Sequence, residues 1–529
     1  MKLPASTPAA DTRRRLTLMA PLWGLVGCAG LSGLRRAGVI EVRGYGAKGD
    51  GVTNDTSALQ AALNACAKQG GGTVLVGPGT YVAAGLIMHS HTTLHLAAGA
   101  TICGSRRIED YPEYEDPIKG GKRRRGLISA TGAGYLSIEG QGTLDGQSMA
   151  SRTLDFSHAG SDFDAAVTRQ GAAFMSEKLF VDGPSKKGPP RPGNVIYFAN
   201  CHNVRLRDIT VRNSPTWHIH MARCQRVWVT GLDVNSRDVQ LKIPNDDGMD
   251  FTDCESVRIS ECHVETGDDC LVFFGSRGVT VNNCWLKTRS TAVRVGYDGS
   301  APMRSCYFSN LVIKDSNRGL GVFSRSAGDI EDIVFRDCSI ETRLFSGRWW
   351  GKGEPIHVSC ARWEQAAARL GRIRGVRFEN IVARSPAGVV IWGQKDSPIE
   401  DVQFRDLDLQ IQPDPLNDQY GGNFDLRLTD QLRTNLFKHD IAGVFARHVH
   451  DLHLRDLRVR WPSAPADFCT SAVQIEDFKR IVIDGFEGLG AQSHHPSIRL
   501  TRGEGARLLN VLPHQENGLN VVDVIDCES

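Results

Sequence analysis

The chain has 529 residues, with 62 Lys and Arg against 60 Asp and Glu, which gives a formal net charge of +2. A balance this close gives no basis for binding nucleic acid through bulk electrostatics. The composition, 41% hydrophobic and 23% charged, excludes a disordered chain. The length exceeds that of one ordinary compact core, so we expect either two domains or an elongated repeat architecture.

The first 28 residues have the pattern of an export signal. Arg13, Arg14 and Arg15 precede an apolar run, residues 16–26, that is too short to span a bilayer as a helix. TRRRLTL is similar to a twin-arginine signal, and LVGC, which ends at Cys28, is similar to a bacterial lipobox. We predict export to the periplasm or the cell surface, with lipidated Cys28 as the one membrane contact. The alternative is a plain secretory signal with a chance cysteine.

One amphipathic helix is predicted near the start of the mature chain, in NDTSALQAALNACAKQGGG, residues 54–72. Asp55 or Thr56 would cap it, and glycines would end it. A helix at this position would shield the open strand edges of the first turn. Residues 72–102 then read as the first strands, and residues 148–190, which lack the pattern, as a loop insertion.

A short pattern repeats through most of the remaining chain: apolar-x-apolar, two polar residues, then apolar-x-apolar. Each unit predicts two short strands joined by a polar bend, and the commonest spacing is 22 to about 30 residues. We predict an all-β fold, a right-handed parallel β-helix that forms one domain of residues 40–529. A second loop insertion, besides residues 148–190, is predicted at residues 410–450. The units are NVRLRDITV (203–211), RVWVTGLDV (226–234), SVRISECHV (256–264), GVTVNNCWL (278–286), DIVFRDCSI (332–340), GVRFENIVA (375–383), DVQFRDLDL (401–409) and DLHLRDLRV (451–459).

The repeat also organises cysteine and asparagine. Fourteen cysteines in an exported chain suggest disulfides. However, Cys262, Cys284 and Cys338 occupy the same phase of the repeat, so we predict mostly buried thiols in an interior ladder. Near the bends asparagine recurs at three positions, where it can tolerate a left-handed backbone: Asn203, Asn283 and Asn380.

Two acidic motifs, NDDGMD (245–250) and GDDC (267–270), stand one turn apart. Asp247 and Asp269 are 22 residues apart, so in a β-helix they would stack at the strand spacing of ~4.8 Å. Asp268 could join them only if the chain bends there, since adjacent residues of a regular strand face opposite sides. Clustered carboxylates raise one another's pKa, which suits the acid and base of glycoside hydrolysis.

In order and spacing, these motifs resemble glycoside hydrolase family 28, the polygalacturonase-like enzymes of the pectate-lyase-like superfamily. VRGYGAKGDGVTNDTSALQAALNAC, IEGQGTLDGQ and residues 191–220 add to the resemblance, which covers about residues 40–385. It implies an inverting hydrolase of pectic polysaccharide or oligosaccharide that uses no metal or other cofactor. It also implies that Asp268 is the general acid and that Asp247 and Asp269 hold the water. Asn245 and Asp250 would orient sugar hydroxyls or simply the turn.

Two features of the family are missing, which indicates a divergent member. The family's G-H-G motif is expected one turn further on, and Thr291 stands where its histidine would be. The family's R-x-K motif, which supplies cations for the galacturonate carboxylate, is absent from residues 318–328. Arg294, Arg318 and Arg325 could supply that charge, or could be surface arginines.

The segment SGRWWGKGEPIHV, residues 346–358, is predicted to be a sugar platform. Trp349 and Trp350 would stack on pyranose rings, with Glu354 and His357 as further substrate ligands. The alternative is that the tryptophans pack a loop onto the β-helix. Histidine also occurs on an earlier turn, where we predict structural roles for it: His218 and His220.

Two other functions are compatible with the sequence. A pectate-lyase-like lyase or epimerase would share the N-terminal run, but would abstract a proton with Arg or Lys and use calcium. A non-catalytic glycan-binding β-helix would explain the missing histidine. We predict a monomer with a glycan as its partner and no nucleic-acid partner.

Overall fold

The structure is a computed structural model that describes residues 38–118, 120–151, 166–174, 191–239, 244–297, 301–347, 349–363, 369–427, 429, 435–512 and 521–528. The predicted signal peptide and Cys28 lie outside these ranges. Among the helices of the described residues, none is both long and apolar enough to cross a membrane.

Parallel strands stack along the chain in a sheet that contains 33 strands within the described ranges. Their pairings divide the sheet into three faces, which follow one another in each turn of the chain. Each residue pairs with its counterparts one turn before and one turn after; Asp250, for example, lies between His220 and Val272. This is the coil of a parallel β-helix, so the predicted fold is confirmed.

The strands of the first face, which carries the candidate site, are Leu86–Ile87, Ile128–Thr131, Ile196–Ala199, Ile219–Ala222, Met249–Thr252, Leu271–Phe274, Thr291–Tyr297, Arg318–Ser324, Ile356–Cys360, Val389–Trp392 and Val522–Ile525. Those of the second face are Val39–Glu41, Gly72–Val76, Thr92–Leu96, Gly134–Gly140, His202–Arg207, Gln225–Thr230 and Glu255–Ser260. Those of the third face are Asp50–Asn54, Gly79–Ala83, Ala100–Gly104, Thr143–Asp145, Thr210–Arg212, Asp233–Asn235 and His263–Thr266.

Farther along the chain, single bent strands serve more than one face. The second and third faces share Arg277–Thr288, Met303–Ser316, Ile330–Thr342, Ile373–Ser385 and Ile399–Ile411. All three faces share Val444–Arg460, Val473–Gly488 and Ile498–Leu512. Two antiparallel hairpins stand outside the coil: Glu113–Glu115 with Lys122–Arg124, and Asn423–Asp425 with Leu436–Lys438.

The interior is filled by ladders of identical or similar side chains. Phe308, Phe335 and Phe378 stack with ring centroids 4.7 and 5.3 Å apart. Of the cysteines that the structure describes, only Cys527 is not buried, and none forms a disulfide, which confirms the predicted thiol ladders. The predicted left-handed bends are also confirmed, with φ of 54°, 55° and 52° at Asn203, Asn283 and Asn380.

The predicted helix is confirmed as Thr56–Lys68, and it packs on the first turns of the coil. Its buried residues are Ala58, Leu59, Ala62, Leu63 and Cys66. Asp55 stands at the N-cap position, but its carboxylate accepts the amides of Lys48 (2.7 Å) and Gly49 (2.9 Å) instead of capping the helix. The other helices are short: Asn417–Tyr420, and the 3₁₀ turns Val42–Tyr45, Ile108–Asp110, Ser148–Ser151, Gly171–Ala173 and Arg237–Val239.

The two predicted loop insertions contact each other beside the first face. Of the first insertion the structure describes residues 148–151 and 166–174. Arg169 pairs with Asp440 at 2.7 Å, and the ring of Phe174 meets that of Tyr420 edge-on at 5.2 Å. The second interruption is shorter than predicted, since the strand that begins at Val444 already restores the coil.

Candidate active site

Three carboxylates meet on the first face and are called the acidic cluster: Asp247, Asp268 and Asp269. Asp247 precedes one strand of the face, and Asp268 and Asp269 lie in the turn before the next. The amide of Gly248 donates to the carbonyl of Asp269 at 2.8 Å, which stacks the two motifs one turn apart. One carboxylate oxygen from each of the three lies within 4.8 Å of the other two. The turn supplies the bend that adjacent aspartates need in order to face the same side.

Asp246 fixes that turn, although the sequence assigned it no role. Its buried carboxylate accepts the amide of Gly267 at 3.1 Å and that of Asp268 at 2.8 Å. The carboxylate of Asp268 in turn accepts the amide of Asn245 at 2.9 Å and that of Asp269 at 3.1 Å. The two motifs therefore hold each other through their backbones.

His218 supports the first motif from beneath. Its ring is fully buried, and Nδ1 lies 3.1 and 3.0 Å from the carbonyls of Asp246 and Asp247. Nε2 lies 3.2 Å from the carbonyl of Asn235. Burial lowers the pKa of the imidazole, with the charge of Asp246 opposing that shift. These contacts with backbone carbonyls agree with the structural role predicted for His218.

The three carboxyls of the acidic cluster differ in exposure. Asp268 is half-buried, whereas Asp247 is 6% exposed and Asp269 is fully buried. Burial raises the pKa of Asp247 well above its ordinary value, and the charges of Asp268 and Asp250 raise it further. Burial also raises the pKa of Asp269, against the opposing charge of Arg294. Groups this close titrate together, so the cluster retains a proton at a pH where an isolated Asp has lost it.

Asp269 is held by the next turn of the coil. Its Oδ1 accepts the hydroxyl of Ser290 at 2.7 Å and the amide of Thr291 at 2.8 Å. Its Oδ2 lies 2.8 Å from the guanidinium of Arg294. Thr291, which stands where the family places a histidine, therefore positions Asp269 through its backbone.

Arg294 pairs with Asp269, so it is not a surface arginine, and its role as a cation for a sugar carboxylate stays a prediction. Its side chain is only 9% exposed. The guanidinium lies 5.0 Å from the ring centroids of both Tyr297 and Trp350. The guanidinium therefore packs against aromatic rings and pairs with Asp269. Because its position is fixed by these contacts, Arg294 orients the carboxylate of Asp269 within the acidic cluster.

Arg318, Glu354 and His357, predicted as substrate ligands, instead form part of a buried ion-pair cluster. The guanidinium of Arg318 lies 3.1 Å from Oε1 of Glu354, and Nδ1 of His357 lies 3.3 Å from the same oxygen. All three side chains are at most 2% exposed, so their charged groups face one another and not solvent. The full cluster consists of Arg318, Lys352, Glu354, His357, Asp425 and Arg427.

The insertion hairpin closes this buried ion-pair cluster. Asp425 accepts Nε of Arg427 at 2.9 Å and the amide of Gly351 at 2.8 Å, and its backbone carbonyl accepts Arg318 at 2.9 Å. Lys352 donates to the carbonyl of Gly351 at 2.8 Å, and burial lowers its pKa to about 8. The cluster thus joins the β-helix to the segment around residue 350 and to the hairpin.

The predicted sugar platform is only partly available. Trp349 is 4% exposed, so it cannot stack on a sugar, and the alternative in which tryptophan packs the loop holds for this residue. Trp350 is half-buried, and its ring lies 5.6 Å from that of Tyr297. Arg325 is also fully buried; it donates to the carbonyl of Ser359 at 2.9 Å, and burial lowers its pKa to about 10.

The two remaining predicted ligands flank the acidic cluster. Asn245 is exposed, whereas Asp250 is fully buried and raises the pKa of Asp247 through its charge. His220 pairs in register with Asp250, and its Nε2 lies 3.1 Å from the hydroxyl of Thr252. Its ring also stacks on Tyr197 at 5.2 Å, which places it beside a cavity.

That cavity has a volume of about 460 Å³ and adjoins the acidic cluster on its N-terminal side. It is within the size range of small-molecule sites in proteins. The sequence did not predict it, because its residues come from separate turns and from the hairpin that ends at Arg124. Its lining residues are Tyr114, Asp116, Arg123, Arg124, Arg191, Pro192, Gly193, Asn194, Tyr197, Thr216, Trp217, His220 and Asn245.

The acidic cluster is also where the described residues could hold a metal ion. Asp247, Asp268 and Asp269 each offer one oxygen at mutual distances that a shared cation could bridge. Arg294 already supplies a positive charge to Asp269 at 2.8 Å. A cation bound here would compete with that pair, which makes chelation a direct test of whether metal takes part.

Together, the β-helix and a group of clustered carboxylates define a carbohydrate-active hydrolase. The chain belongs to glycosyl hydrolases family 28, whose model matches residues 114–416. The model named "Rhamnogalacturonase A/epimerase, pectate lyase-like" matches residues 39–106. The predicted family and the predicted enzyme class, a glycoside hydrolase, are confirmed.

Named relatives agree with that assignment. A probable polygalacturonase of Vitis vinifera is 22% identical over 368 residues, which are 64% of this chain and 68% of the relative. An exo-poly-alpha-D-galacturonosidase of Dickeya chrysanthemi is 25% identical over 337 residues, 57% of this chain. The match spans about half of the Dickeya protein, 55% of its length.

Solved structures show the same fold. The family 28 exopolygalacturonase of Yersinia enterocolitica superimposes with a TM-score of 0.60 at 18% identity, over 84% of this chain and 78% of that one. A hyperthermoactive exopolygalacturonase from Thermotoga maritima gives a TM-score of 0.56 at 20% identity, over 70% and 87% of the two chains. The coil is right-handed, as predicted.

Proposed function

We propose that this chain hydrolyses glycosidic bonds in pectic polysaccharide or oligosaccharide, by an inverting mechanism that needs no metal. The observation that carries the proposal is the acidic cluster, three carboxylates within 4.8 Å of one another, of which one is open to solvent. Family 28 membership and relatives named as polygalacturonases support the substrate class.

Exposure supports the division of roles. Asp268 is the half-buried member of the acidic cluster, so its carboxyl can reach the oxygen of a glycosidic bond and protonate it. Asp247 and Asp269 are buried behind it, where together they can hold a water molecule and accept its proton. Arg294, Ser290 and the amide of Thr291 fix the orientation of Asp269.

The stereochemical outcome depends on how many carboxylates take part. In most inverting glycosidases the two carboxyls are about 6.5–9.5 Å apart, and in retaining enzymes about 5–5.5 Å. Oxygen separations of no more than 4.8 Å would by themselves suit a retaining pair. Three carboxylates support inversion, because a retaining enzyme needs one nucleophile, whereas two bases can share one water beside the acid. Proton NMR of the first product anomer tests this, and initial release of the retained anomer would refute inversion.

The surroundings of Arg294 favour hydrolysis over a lyase reaction. A lyase needs a cationic side chain that can give up its proton and then act as the base. Although burial opposes it, the charge of Asp269 raises the pKa of Arg294, which makes that side chain a poor base. Arg294 is therefore not the base of a lyase reaction, and the absence of an unsaturated product tests hydrolysis for the whole site.

Export is part of the proposal. A polysaccharide does not cross a membrane intact, which supports the signal predicted in residues 1–28. Lipidation at Cys28 and a monomeric state belong to the same proposal. Mass spectrometry of the mature N-terminus and light scattering of the protein without residues 1–28 test them; an unmodified Cys28 would refute the anchor.

The deciding experiment measures reducing ends released from polygalacturonan, rhamnogalacturonan and pectic oligosaccharides, in parallel reactions with and without EDTA. We expect release by the wild type and none by Asp268→Asn. The matched control is Asp208→Asn, because Asp208 is 57% exposed and has a left-handed backbone, φ 58°, that Asn adopts equally well. Sugar retention without turnover by the wild type would instead support a glycan-binding protein, and EDTA inhibition or an unsaturated product would support a lyase.

A further inference from the structure

A second cavity, called the side cavity, has a volume of about 420 Å³, which is within the size range of small-molecule sites. Its lining residues come from the end of the third face and from the turns that lead from that face to the first. The strands of the first face supply none of them. The lining residues are Arg106, Asp145, Gln147, Ser148, Met149, Ala150, Asn213 and Asp238.

The floor of the side cavity is fixed by contacts between two successive turns of the coil. The amide of Gly146 donates to the carbonyl of Arg212 at 2.8 Å, and the amide of Ser148 donates to that of Asn213 at 2.9 Å. Nε of Arg212 also pairs with Oδ2 of Asp145 at 2.9 Å. A floor held in this way is formed before a ligand arrives, which lowers the cost of binding.

Several polar groups of the lining remain open to a ligand. Arg106 donates from Nε to Oε1 of Gln147 at 3.0 Å, and its two terminal nitrogens have no partner among the described residues. Oδ2 of Asp238 accepts Nδ2 of Asn213 at 2.9 Å, whereas its Oδ1 has no partner there. The side cavity therefore offers free donors and free acceptors, and a sugar hydroxyl needs both.

Two further lining side chains each have a buried polar atom without a hydrogen-bond partner in the described part of the chain. They are Ser148, at its hydroxyl, and Asn213, at Oδ1. Ser148 is fully buried and Asn213 is 9% exposed. An unpaired buried polar atom costs stability and is uncommon in folded proteins. Hydroxyl groups of a ligand in the side cavity would satisfy both atoms.

The charges of the lining favour a neutral ligand. Asp145 is balanced by Arg212, which leaves Arg106 and Asp238 as one charge of each sign. A carboxylate on the ligand would meet Asp238, whose side chain is 59% exposed. Met149 is 44% exposed and adds an apolar surface. A neutral sugar, with many hydroxyls and an apolar ring face, fits this combination.

The side cavity is connected to the acidic cluster. The carbonyl of Asn235 accepts the amide of Asn213 at 3.0 Å and lies 3.2 Å from Nε2 of His218. Nδ1 of the same ring lies 3.0 Å from the carbonyl of Asp247. The two sites are thus neighbours, but only the acidic cluster lies on the first face. A glycan main chain on that face would reach the side cavity only through a substituent.

We propose that the side cavity binds a neutral sugar that is carried as a branch on the main chain of the substrate. The open groups of Arg106, Asp238, Asn213 and Ser148 bind its hydroxyls, and Met149 contacts its ring. The inference rests on the proposed function, since it names the kind of pectic glycan, a branched one, that the acidic cluster would cleave.

The test compares kcat/KM on galacturonate oligosaccharides of one length, either unbranched or with single xylosyl, arabinosyl or galactosyl branches. We expect at least one neutral branch to raise kcat/KM of the wild type by about 10-fold or more. Ala150→Phe, which fills the side cavity from an exposed position, should abolish this preference, and Arg106→Ala should lower it by about 3- to 10-fold. Arg258→Ala is the control, because Arg258 is also exposed but lies on the second face.

Three results would overturn the inference. The wild type could show no preference for any neutral branch, or both variants could keep the full preference. A glucuronosyl branch, which is charged, could raise kcat/KM as much as the best neutral branch. Melting curves identify a variant that has lost its fold. If Ala150→Phe does not fold, Arg106→Ala decides, because it only shortens an exposed side chain.

A binding measurement separates this inference from the proposed function. Calorimetry with the Asp268→Asn protein compares the branched and unbranched oligosaccharides without turnover, and Ala150→Phe should remove the gain in affinity from the branch. If unbranched galacturonan is cleaved but no branch improves cleavage or binding, the inference fails and the proposed function stands. If no glycan is cleaved but the branch still improves binding through the side cavity, the hydrolase proposal fails and the inference stands.

Discussion

The first face carries two charged clusters that are built on the same column of the coil. Asp269, Thr291, Arg318 and Glu354 occupy equivalent positions in successive turns. The acidic cluster lies at one end of this column and the buried ion-pair cluster lies at the other. Their burial is similar, but their charges are arranged in opposite ways.

The partners decide the direction of each pKa. In the acidic cluster, burial and like charge act together, and the pKa of Asp247 is raised well above its ordinary value. Burial would also raise the pKa of Glu354, but Arg318 and the hydrogen bond from His357 overcome it and hold that pKa at about 2. Burial therefore does not distinguish a catalytic group from a structural one. Unbalanced charge is the more informative sign, because strongly shifted pKa values cluster at functional sites.

The largest expected effect is on catalysis and comes from the acidic cluster, in which like charges lie close together. Asp247→Asn should lower kcat/KM by about 10³-fold, the range found for positioned acids and bases. The same substitution should raise the melting temperature at neutral pH, because it removes a buried carboxyl that repels Asp250 and Asp268. The gain should be absent below the ordinary pKa of Asp, where the wild-type group is protonated whether folded or unfolded, and should grow as pH rises. Scanning calorimetry across pH tests the sign; a lower melting temperature at pH 7 would show that the charge is compensated.

The second prediction concerns the buried ion-pair cluster, in which positive and negative charges are paired. Glu354→Ala removes one partner of a buried pair and leaves Arg318 charged and buried, so we expect a loss of about 3–5 kcal/mol of stability. The matched control is Glu255→Ala, which breaks the exposed pair with Arg277 (57% and 42% exposed) and should cost at most about 1 kcal/mol. Denaturant titration followed by circular dichroism compares the two. Equal losses would mean that the buried ion-pair cluster has no special structural role.

The third prediction tests Arg294, the cation that pairs with Asp269. Arg294→Gln removes the charge that opposes the raised pKa of Asp269, so that pKa should rise further. Asp269 would then be protonated up to a higher pH, and the acidic limb of the kcat/KM profile should move to higher pH. Arg325→Gln is the control, because Arg325 contacts Ser359 and not the acidic cluster. An unchanged acidic limb would contradict the positioning role of Arg294.

The sequence predicts the column of stacked residues on the first face, but it does not predict the buried ion-pair cluster at the end of that column. Period-2 alternation and 22-residue spacing are local patterns, so the coil, the thiol ladder and the stacking of Asp247 on Asp269 could be predicted. The buried ion-pair cluster joins Glu354 to Asp425, and no periodic pattern connects a turn with an insertion hairpin. For that reason Arg318, Glu354 and His357 looked like substrate ligands. Asp246 and His218 act on backbone groups, and such contacts leave no spacing signal between side chains.

The smallest effect is expected within the buried ion-pair cluster, at Lys352. Burial lowers its pKa from 10.5 to about 8, so between those values the unfolded chain binds more protons than the folded one. Stability then rises with pH across this range. Lys352→Met removes a buried charge, which stabilises the fold, and also the hydrogen bond to the carbonyl of Gly351, which destabilises it. The two effects oppose each other, so the net change in stability at pH 7 should be small. The slope is the test: between pH 8 and 10 the wild type should gain stability relative to Lys352→Met. If the two stability curves ran parallel, Lys352 would have its ordinary pKa in the folded protein. Its charge would then be fully compensated by the other members of the buried ion-pair cluster.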